Sequence, residues 1–537
     1  MPATTEVAFP GCAFFSRTPE RIFTVESFSS DENLMIQAAE QFSRKEVLPA
    51  AERLDQQEDG LMPRLIHQAG NLGFCGPDTP ECYGGLGLGK NLSARMLEFL
   101  SFNGSFSVTI GVTSGIGQLG LALFGNEAQK AKYLPKLASG EWIGAYCLSE
   151  PNSGSDALAM TTRAEEKGDR WILNGTKMWI SNAKWAEFFL VLAKIDGEHV
   201  SAFLVERDFP GVSIGREEHK MGLKGSSTAR VVLEDAEVPL ENLLYVPGKG
   251  HHVAFNALNI GRFKLGAMSL GPAREAMHVA TEYSQDRKQF GQSLSSFGLI
   301  RQKLADMAAR YFGVESMLYR TGAGIDEAFD SWGGDVDGNR RAAEEYAVEC
   351  SACKVLATEI EAFIVDEALQ IYGGYGFTEE FPLARIYRDA RVSRIYEGTN
   401  EINRVFLADR LVRKAAEGAA SLAPVGDSFV SELAGKAYAR ALENHSPRLG
   451  LRGIHQVVAG ALSDLTMLAY MEQSARLRAR QNGGIHEVLF ALLSRWINGE
   501  AARSYQAVTG ESVTIPAHAS ASIEDVVEAV LERRGPL

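Results

Sequence analysis

One glutamate stands in surroundings that suit acid-base chemistry. Glu397 lies in the segment Arg394–Arg404, which reads RIYEGTNEINR, with Tyr396 before it and Gly398 after it. An apolar wall raises the pKa of a carboxyl group, and a glycine lets a substrate approach the backbone closely. A surface glutamate needs neither neighbour, so the pattern favours a general base at position 397.

Four other segments could bind a ligand, and each also has an ordinary structural explanation. Tyr146–Asp156 (YCLSEPNSGSD) offers hydroxyls and a Gly-Ser pair, or is a polar loop entering a sheet. In Trp179–Ser181 an aromatic ring and a hydroxyl share one face of a strand, which is more often packing than binding. Asp286–Gly291 (DRKQFG) could clamp a phosphate or complement a helix dipole. Gln370–Gly376 (QIYGGYG) could meet a phosphate or an adenine, or could end a helix.

Three further patterns are better explained without a ligand. Tyr83–Gly89 is rich in glycine but lacks the lysine of a phosphate-binding loop, so a plain loop is expected. Cys350–Cys353 has CxxC spacing inside a helical pattern with no second Cys/His pair, which favours helix packing. His251 and His252 are adjacent and have no third ligand nearby, which indicates a turn surface. The sequence therefore predicts no metal site.

The composition is that of a soluble globular protein, and it excludes some classes of partner. The 537 residues are 45% apolar and 23% charged, and a chain of this length makes about three or four domains. A net charge of −14 without a clustered basic stretch argues against nucleic-acid binding. Six scattered cysteines suit a reducing compartment, and no apolar run of transmembrane length or leader pattern is present. We therefore expect a cytoplasmic protein of bacterial type.

The spacing of apolar residues predicts helices, then a sheet, then helices again. A capping-box spacing at Ser29–Glu32 opens the first helical region. Strand-like runs follow at Trp171–Ile180, Phe188–Ala193 and Val200–Val205, and the Asn-Gly pair at 174–175 is a hairpin signal. The predicted domains are an N-terminal arm (1–28), a helical domain (29–145), a sheet domain (146–250), a helical bundle (251–412) and a further helical domain (427–537).

The later helical regions contain two predicted interruptions. A Gly/Asp-rich loop is expected at Ser331–Asn339, and a linker of small residues at 415–426. In the last domain we expect amphipathic helices around 454–479 and 485–505 and a shorter one after Ser522.

Five motifs, in this order, resemble those of one protein family. YCLSEPNSGSD, NGTKMWISN, DRKQFG, QIYGGYGFTEE and RIYEGTNEI are similar to segments of the acyl-CoA dehydrogenases, FAD enzymes that desaturate acyl-CoA thioesters between the α and β carbons. The resemblance covers about residues 29–412. It implies an α+β fold with an N-terminal α-helical domain, a middle β-barrel domain and a C-terminal four-helix bundle, here followed by an extra α-helical domain.

The resemblance is closest to the very-long-chain branch of the family. Ser296–Ile300 follows DRKQFG as in that branch, Asn259–Arg262 stands where medium-chain relatives carry an aspartate, and short- and medium-chain members lack the extra C-terminal domain. Because that extension occupies the space of a second dimer in the tetrameric relatives, a homodimer is expected.

The family resemblance assigns roles to residues of this sequence. Glu397 would abstract the α proton, and its backbone N–H would hydrogen-bond the thioester carbonyl while Tyr396 and the flavin exclude water. The residues expected to bind FAD are Tyr146, Leu148, Ser149, Gly154, Ser155, Trp179, Ser181, Arg287, Phe290, Gln370, Gly373, Gly374, Thr399 and Glu401, of which the five from Arg287 to Gly374 would reach across the dimer. The residues expected to touch the substrate are Ser155, Asn259, Arg262, Tyr396 and Gly398.

Chain length and partners are inferred on the same basis. In medium-chain relatives, polar or bulky side chains form the floor of the acyl cavity. The corresponding residues here are Val108, Gly111 and Val112, which implies a deeper apolar cavity and a substrate with a long acyl chain. The family's usual electron acceptor is an electron-transferring flavoprotein. Two other functions remain open: a non-catalytic assembly or scaffold protein on the same fold, and an acyl-CoA oxidase that passes electrons to oxygen.

The C-terminal domain of the very-long-chain branch helps to dock the enzyme on a membrane. Here the domain is shorter just before Ile454, where the docking segment would lie. Arginines alternate with apolar residues at Pro447–Arg452 and Arg476–Arg480, and a solvated or subunit-packing face is favoured over weak peripheral contact with an inner membrane.

Overall fold

A computed structural model describes residues 10–422, 428–516 and 522–537. These residues form two compact units. The sheet unit comprises Ser30–Met268 and Ala328–Glu344, and the helical unit comprises the remainder. Parts of the predicted arm (1–9) and linker (423–426), and the predicted start of the last domain at 427, lie outside the described residues.

The sheet unit opens with seven helices. Their bounds are α1 Ser30–Phe42, α2 Ala51–Asp55, α3 Leu61–Asn71, α4 Lys90–Leu100, α5 Gly104–Thr113, α6 Ile116–Phe124 and α7 Glu127–Ala138. Helix α1 begins where the capping-box spacing predicts, and the glycine-rich segment before α4 is a loop, as expected. Contrary to the sequence expectation, Gly104–Phe124 is long and apolar enough to cross a membrane. Because 83% of its most apolar window is buried inside the protein, these are core helices.

Eight strands follow and form one sheet. They are β1 Gly144–Cys147, β2 Arg163–Lys167, β3 Arg170–Ser181, β4 Phe188–Ile195, β5 His199–Glu206, β6 Val212–Glu217, β7 Thr228–Pro239 and β8 Leu243–Leu244, in the order β6-β7-β3-β2-β4-β5-β8 with β1 paired to β4. Strand β1 is parallel to β4, and so is β2, whereas the other pairs are antiparallel. Every residue of Phe188–Ala193 in β4 is fully buried, which explains its unbroken apolar run.

The hairpin predicted at the Asn-Gly pair is wrong. Asn174 and Gly175 lie inside β3, where the pairing with β7 shifts register between Leu173 and Gly175. A Cβ atom at Gly175 would lie 2.3 Å from Oγ1 of Thr162, so the glycine is required by close packing and not by a turn. The chain turns instead at Gly168, whose φ is 66°, between β2 and β3.

Long helices build the rest of the molecule as far as residue 416. They are α8 Gly250–Asp286, a short hairpin of β9 Lys288–Gln289 and β10 Gln292–Ser293, then α9 Gly298–Trp332, α10 Val336–Glu345, α11 Ala347–Tyr372, α12 Pro382–Ala390 and α13 Asn400–Ala416. The loop predicted at Ser331–Asn339 is wrong over its second half. Helix α10 begins at Val336 because the Asp335 carboxylate accepts the N–H of Gly338 at 2.8 Å and so caps the helix.

The structure contains the C-terminal helices that the sequence predicts and one further helix. Helices α14 Phe429–Ala441, α15 Gln456–Asn482, α16 Ile485–Thr509 and α17 Ile523–Arg533 belong to the helical unit, and α14 was not expected. Arg478 of α15 is 1% exposed and pairs with Glu26 at 2.6 Å and Glu315 at 2.8 Å. Of the solvated or subunit-packing face predicted for Arg476–Arg480, the solvated alternative is wrong at Arg478, because this side chain joins the N-terminal segment to α9 and α15.

The cysteine and histidine pairs occupy helices. Cys350 and Cys353 are buried within α11, which confirms helix packing. His251 and His252 lie in the first turn of α8, not on a turn surface, and their rings are 4.3 Å apart. Among the described residues no group of three or more His, Cys, Asp or Glu side chains is arranged to hold a metal.

Candidate active site

In the sheet unit, the loop after β1 is held by a buried lysine of β3. Lys177 is 0% exposed, and its ammonium group donates to the carbonyl of Leu148 at 3.2 Å and to the carboxylate of Glu150 at 2.8 Å. The carbonyl of Ser149 accepts the N–H of Met178 at 2.9 Å. Three consecutive residues of the predicted flavin loop are therefore fixed against one strand.

Glu150 is the second half of this anchor. Its carboxylate also accepts the backbone N–H groups of Thr161 at 2.6 Å and Thr162 at 3.0 Å. Burial opposes its ionisation, but the charge of Lys177 and these hydrogen bonds outweigh burial and lower the pKa of Glu150 to about 2. In turn, burial lowers the pKa of Lys177 and the charge of Glu150 partly offsets that effect. The two groups form a buried ion pair.

The tip of the same loop leaves space for a ligand. Gly154 and Ser155 are exposed, and a Cβ atom at Gly154 would meet nothing within 4 Å. The φ of Gly154 lies outside the left-handed region, so neither packing nor backbone conformation requires a glycine there. A glycine with free space around it lets the phosphate of a cofactor approach the backbone N–H groups closely.

Strand β3 presents an exposed aromatic ring through an unusual backbone. Trp179 has φ 61° and its side chain is 56% exposed, although β3 is otherwise well packed. The pairing of β3 with β7 shifts between Lys177 and Ile180, and this bulge turns the indole outward. Left-handed backbone at a bulky residue costs energy and is concentrated at functional sites. Ser181, two residues later, is half-buried and pairs with Thr228.

Asn182 anchors the end of β3, a role that its place at the end of the motif NGTKMWISN did not reveal. It is fully buried with φ 68°, and its amide donates to the carbonyls of Gly144 at 2.9 Å and Thr109 at 3.1 Å. These bonds tie the position of the Trp179 segment to β1 and α5.

The predicted substrate residues of α8 contact each other. Arg262 is 8% exposed and donates to the side-chain oxygen of Asn259 at 3.3 Å. Asn259 donates to the carbonyl of Ala343 at 3.5 Å. Tyr146, predicted to bind FAD, lies in β1 with its hydroxyl 3.5 Å from the carbonyl of Ala254. The roles proposed for these side chains toward coenzyme A and FAD stay predictions.

The region predicted to floor an acyl cavity is already occupied. A Cβ atom at Gly111 of α5 would lie 2.7 Å from the sulfur of Met268, so the glycine makes room for that side chain. Val108 is 4% exposed and Val112 is half-buried. Met is unbranched and adaptable, so an acyl chain along α5 would have to displace Met268.

In the helical unit, Glu397 lies on a short irregular segment between a 3₁₀ turn, Arg391–Arg394, and α13. Its φ is 57° and that of Gly398 is 80°, so two successive residues adopt left-handed backbone. Asn403 of α13 donates to the carbonyls of Gly398 at 2.8 Å and Thr399 at 3.1 Å, with a longer contact of 3.4 Å to that of Glu397. The segment is therefore fixed by its carbonyl groups.

A buried lysine of α11 also holds the segment that carries Glu397. Lys354 is 0% exposed and donates to the carbonyl of Gly398 at 2.9 Å and to the side-chain oxygen of Asn400 at 2.6 Å. Asn400 donates in turn to Thr358 at 3.1 Å and Glu359 at 3.0 Å, both on α11. The carboxylate-bearing segment is thus attached to two helices, which holds Glu397 in one geometry.

Thr399 and Glu401 start α13. The Thr399 hydroxyl accepts the N–H of Ile402 at 3.2 Å and caps the helix. Hydrogen bonds from its own backbone and from Thr399 lower the pKa of Glu401. Burial raises the pKa of Tyr396 well above its ordinary value, and the neighbouring carboxyls of Glu361 and Glu397 act in the same direction. Tyr396 is therefore neutral beside Glu397.

Two of the motifs predicted to reach across a dimer meet within this unit. Phe290 and Gly291 form the positive-φ turn of the β9–β10 hairpin, and Phe290 is 93% exposed at its tip. The guanidinium of Arg287 lies 5.6 Å from the ring centre of Tyr375. Gly373, with φ 59°, ends α11, so its ordinary explanation as a helix cap is confirmed. Gln370 and Gly374 are exposed, and a Cβ atom at Gly374 would meet nothing within 4 Å.

The anchors of both segments were missed from the sequence for different reasons. Lys177 lies inside NGTKMWISN, and Asn400 and Asn403 lie inside the Glu397 segment, so their motifs were noticed while their contacts were not. Lys354 follows the CxxC pair in a helix and has no local signal at all. Such contacts depend on which strands and helices become neighbours.

Fold and site define an α+β protein that carries a carboxylate on a tightly held irregular segment, as an acid-base enzyme requires. Family models for the N-terminal, middle and C-terminal domains of acyl-CoA dehydrogenases match residues 29–141, 145–236 and 248–412. The chain belongs to the acyl-CoA dehydrogenase family, whose members are FAD-dependent oxidoreductases.

Individual relatives agree with this family. A Bacillus subtilis protein named probable acyl-CoA dehydrogenase is 45% identical over 422 residues, which are 78% of this chain and 71% of that protein. The human mitochondrial very long-chain specific acyl-CoA dehydrogenase is 40% identical over 349 residues, 63% of this chain and 51% of that protein. A crystal structure of an acyl-CoA dehydrogenase complexed with FAD from Bacillus anthracis has a TM-score of 0.91 at 38% identity, covering 99% of this chain and 100% of that one.

Proposed function

We propose that the protein uses FAD to introduce a trans α,β double bond into long-chain acyl-CoA thioesters in fatty acid β-oxidation. The observation that carries the proposal is the rigid presentation of Glu397, whose segment is attached to α11 by Lys354 and to α13 by Asn403. A base held in one geometry removes a proton from a correctly placed substrate more efficiently than a mobile one.

In this reaction Glu397 takes the α proton of the thioester. Its backbone N–H donates to the thioester carbonyl and stabilises the negative charge that develops there. Tyr396, neutral and half-buried, excludes water from the carboxylate. FAD, when bound, supplies the acceptor for the β hydrogen, which leaves as a hydride.

The residues present fit FAD. In the sheet unit, Trp179 offers an exposed ring and the open Gly154 leaves room for a phosphate beside backbone N–H groups. In the helical unit, Gly374 is equally open, and Phe290 offers a second exposed ring. None of these four features is needed for packing within its own unit.

The remaining parts of the proposal concern partners. We propose an electron-transferring flavoprotein as the electron acceptor, a homodimer as the active assembly and the cytoplasm as the location, with weak membrane contact as the alternative. Phe290 supports the dimer, because a 93% exposed phenylalanine at a hairpin tip gains most from burial against another surface.

The test is an anaerobic titration of the FAD-loaded protein with butyryl-, octanoyl- and palmitoyl-CoA, following loss of the oxidised flavin band. We expect bleaching that is fastest with palmitoyl-CoA and absent in Glu397→Gln. The matched control is Glu417→Gln, since Glu417 is an exposed carboxylate at the end of α13. Met268→Ala should favour palmitoyl-CoA further if the acyl chain passes α5.

Each other outcome selects another function. Preference for butyryl-CoA would contradict the long-chain assignment and leave the dehydrogenase intact. Rapid reoxidation of the reduced flavin by oxygen would indicate an acyl-CoA oxidase. A flavin-loaded protein that no acyl-CoA bleaches would exclude the proposed substrates and favour a scaffold.

A further inference from the structure

A second carboxyl group lies close to the catalytic segment and has no part in the reaction described above. Glu361 of α11 is 3% exposed. Among the residues that the structure describes, no Lys, Arg or His side chain pairs with it within 4.0 Å. An ionised carboxylate buried without a cation is unfavourable, so the neutral acid is the expected form.

The hydrogen bonds of Ser393 point to the same protonation state. Its hydroxyl oxygen lies 2.8 Å from Oε2 of Glu361 and 2.7 Å from the carbonyl oxygen of Ala390. A hydroxyl carries one hydrogen, and a carbonyl oxygen can only accept. When Ser393 donates its hydrogen to Ala390, the contact with Glu361 is a full hydrogen bond only if Glu361 carries a proton and donates it to Ser393.

The groups around Glu361 come from several elements of the helical unit. Burial raises the pKa of Glu361 to about 8, and the charge of Asp389 acts in the same direction, while the charge of Arg394 opposes it. Tyr396 lies within the electrostatic reach of Glu361, because the charges of both Glu361 and Glu397 raise the pKa of Tyr396. Glu361 and the catalytic carboxylate therefore act on the same tyrosine.

We propose that Glu361 is a positioning residue for the base: as a neutral acid it fixes the turn before Tyr396 and Glu397 through Ser393, and its ionisation at alkaline pH slows proton abstraction. The proposal rests on the role of Glu397 given above. Loss of the proton would break the donor relation to Ser393. It would also place a negative charge beside Tyr396, the neighbour of the base in the chain.

The first test is the pH dependence of the anaerobic flavin reduction rate with palmitoyl-CoA. In the wild type the rate should fall above pH about 8, by about tenfold per pH unit while the ionised form contributes little. Glu361→Gln, whose amide can donate to Ser393 as the neutral acid does, should keep most of the neutral-pH rate and lose the alkaline decline. Glu367→Gln, on the same helix, is the matched control and should keep the decline.

Two further measurements separate positioning from a merely structural role. Ser393→Ala should lower kcat at neutral pH with little change in KM and should keep an alkaline decline, because the carboxyl remains. In infrared spectra at neutral pH, the C=O absorption of protonated carboxyl groups should be present in the wild type and weaker by one group in Glu361→Gln, whether or not substrate is turned over.

The possible failures are distinguishable. If Glu361→Gln keeps the wild-type alkaline decline, or if its infrared absorption is no weaker than that of the wild type, the proposal is overturned and Glu397 retains its role. If Glu361→Gln does not fold, the Ser393→Ala profile decides the question. If the wild type is bleached at no pH, the proposed function fails and the positioning role fails with it.

Discussion

Each unit has a buried lysine that holds a segment carrying predicted site residues, and the two lysines do so differently. In the sheet unit, Lys177 binds one carbonyl and the carboxylate of Glu150. In the helical unit, Lys354 binds the carbonyl of Gly398 and the amide oxygen of Asn400, directly beside Glu397. Both side chains are fully buried.

The difference separates stability from catalysis. Removing one member of a buried ion pair leaves the other charge without compensation, which penalises folding. Removing a donor from the carbonyl next to the proposed base Glu397 should cost less for folding and should change the geometry of that carboxylate. We therefore expect Lys177 to matter most for the fold and Lys354 most for turnover.

The largest expected effect is that of Lys177→Met. It would leave the Glu150 carboxylate buried and unpaired and destabilise the protein by about 3–5 kcal/mol, measured by urea unfolding. The double variant Lys177→Met with Glu150→Gln is the control and should recover part of that loss, because no charge is then left buried. A loss below about 1 kcal/mol would show that the pair is solvated, as surface pairs are.

Lys354→Met tests the role of the buried lysine in the helical unit. Because the Glu397 segment loses one of its two anchors, kcat should fall by about 100-fold, while the loss of stability should be about 1–3 kcal/mol. Stopped-flow flavin reduction and urea unfolding measure the two quantities. Lys303→Met, which removes a half-buried pair with Glu367 elsewhere in the unit, is the control and should leave kcat unchanged. Equal losses of kcat in both variants would contradict the comparison.

The acid stability of the protein should depend on Glu150. Its folded pKa of about 2 is lower than the ordinary value of 4.5. Ionised Glu150 therefore stabilises the fold above pH 4.5, and this contribution is lost as the pH falls from 4.5 toward 2. Glu150→Gln should be less stable at neutral pH and should lose less stability on acidification. Parallel acid-unfolding curves for the two proteins would refute this assignment.

Gly154→Ala and Gly374→Ala should have the smallest effect on stability. Both should selectively weaken the binding of FAD. A Cβ atom meets nothing at either position, so the free energy of unfolding of the apoprotein should change by no more than about 0.5 kcal/mol. FAD affinity, measured by flavin fluorescence on dilution, should fall in both. An unchanged affinity in one variant would remove that glycine from the proposed FAD site.

Local sequence patterns predicted helices and strands well where the apolar residues follow a single helical or strand period. The strands at 171–180, 188–193 and 200–205 and the helices α15 and α16 lie close to their expected positions. The Asn-Gly pair failed because a close approach to Thr162, which no local window reveals, requires a glycine in mid-strand. The loop expected at Ser331–Asn339 failed because the Asp335 cap starts α10 earlier than composition suggests.

The sequence by itself determined the family, the order of helices and sheet, and the identity of Glu397 as the candidate base, because these depend on residue types at fixed local spacing. Only the tertiary structure decided how that base is held. Lys354 and Asn400 are 46 positions apart in the chain, and Lys177 and Glu150 are 27 apart. Their contacts exist because α11 packs beside α13, and because Lys177 of β3 lies next to the loop that follows β1. Burial then decides which of these polar groups are charged, since the same carboxyl group ionises readily in Glu150 beside a lysine and poorly in Glu361 without one.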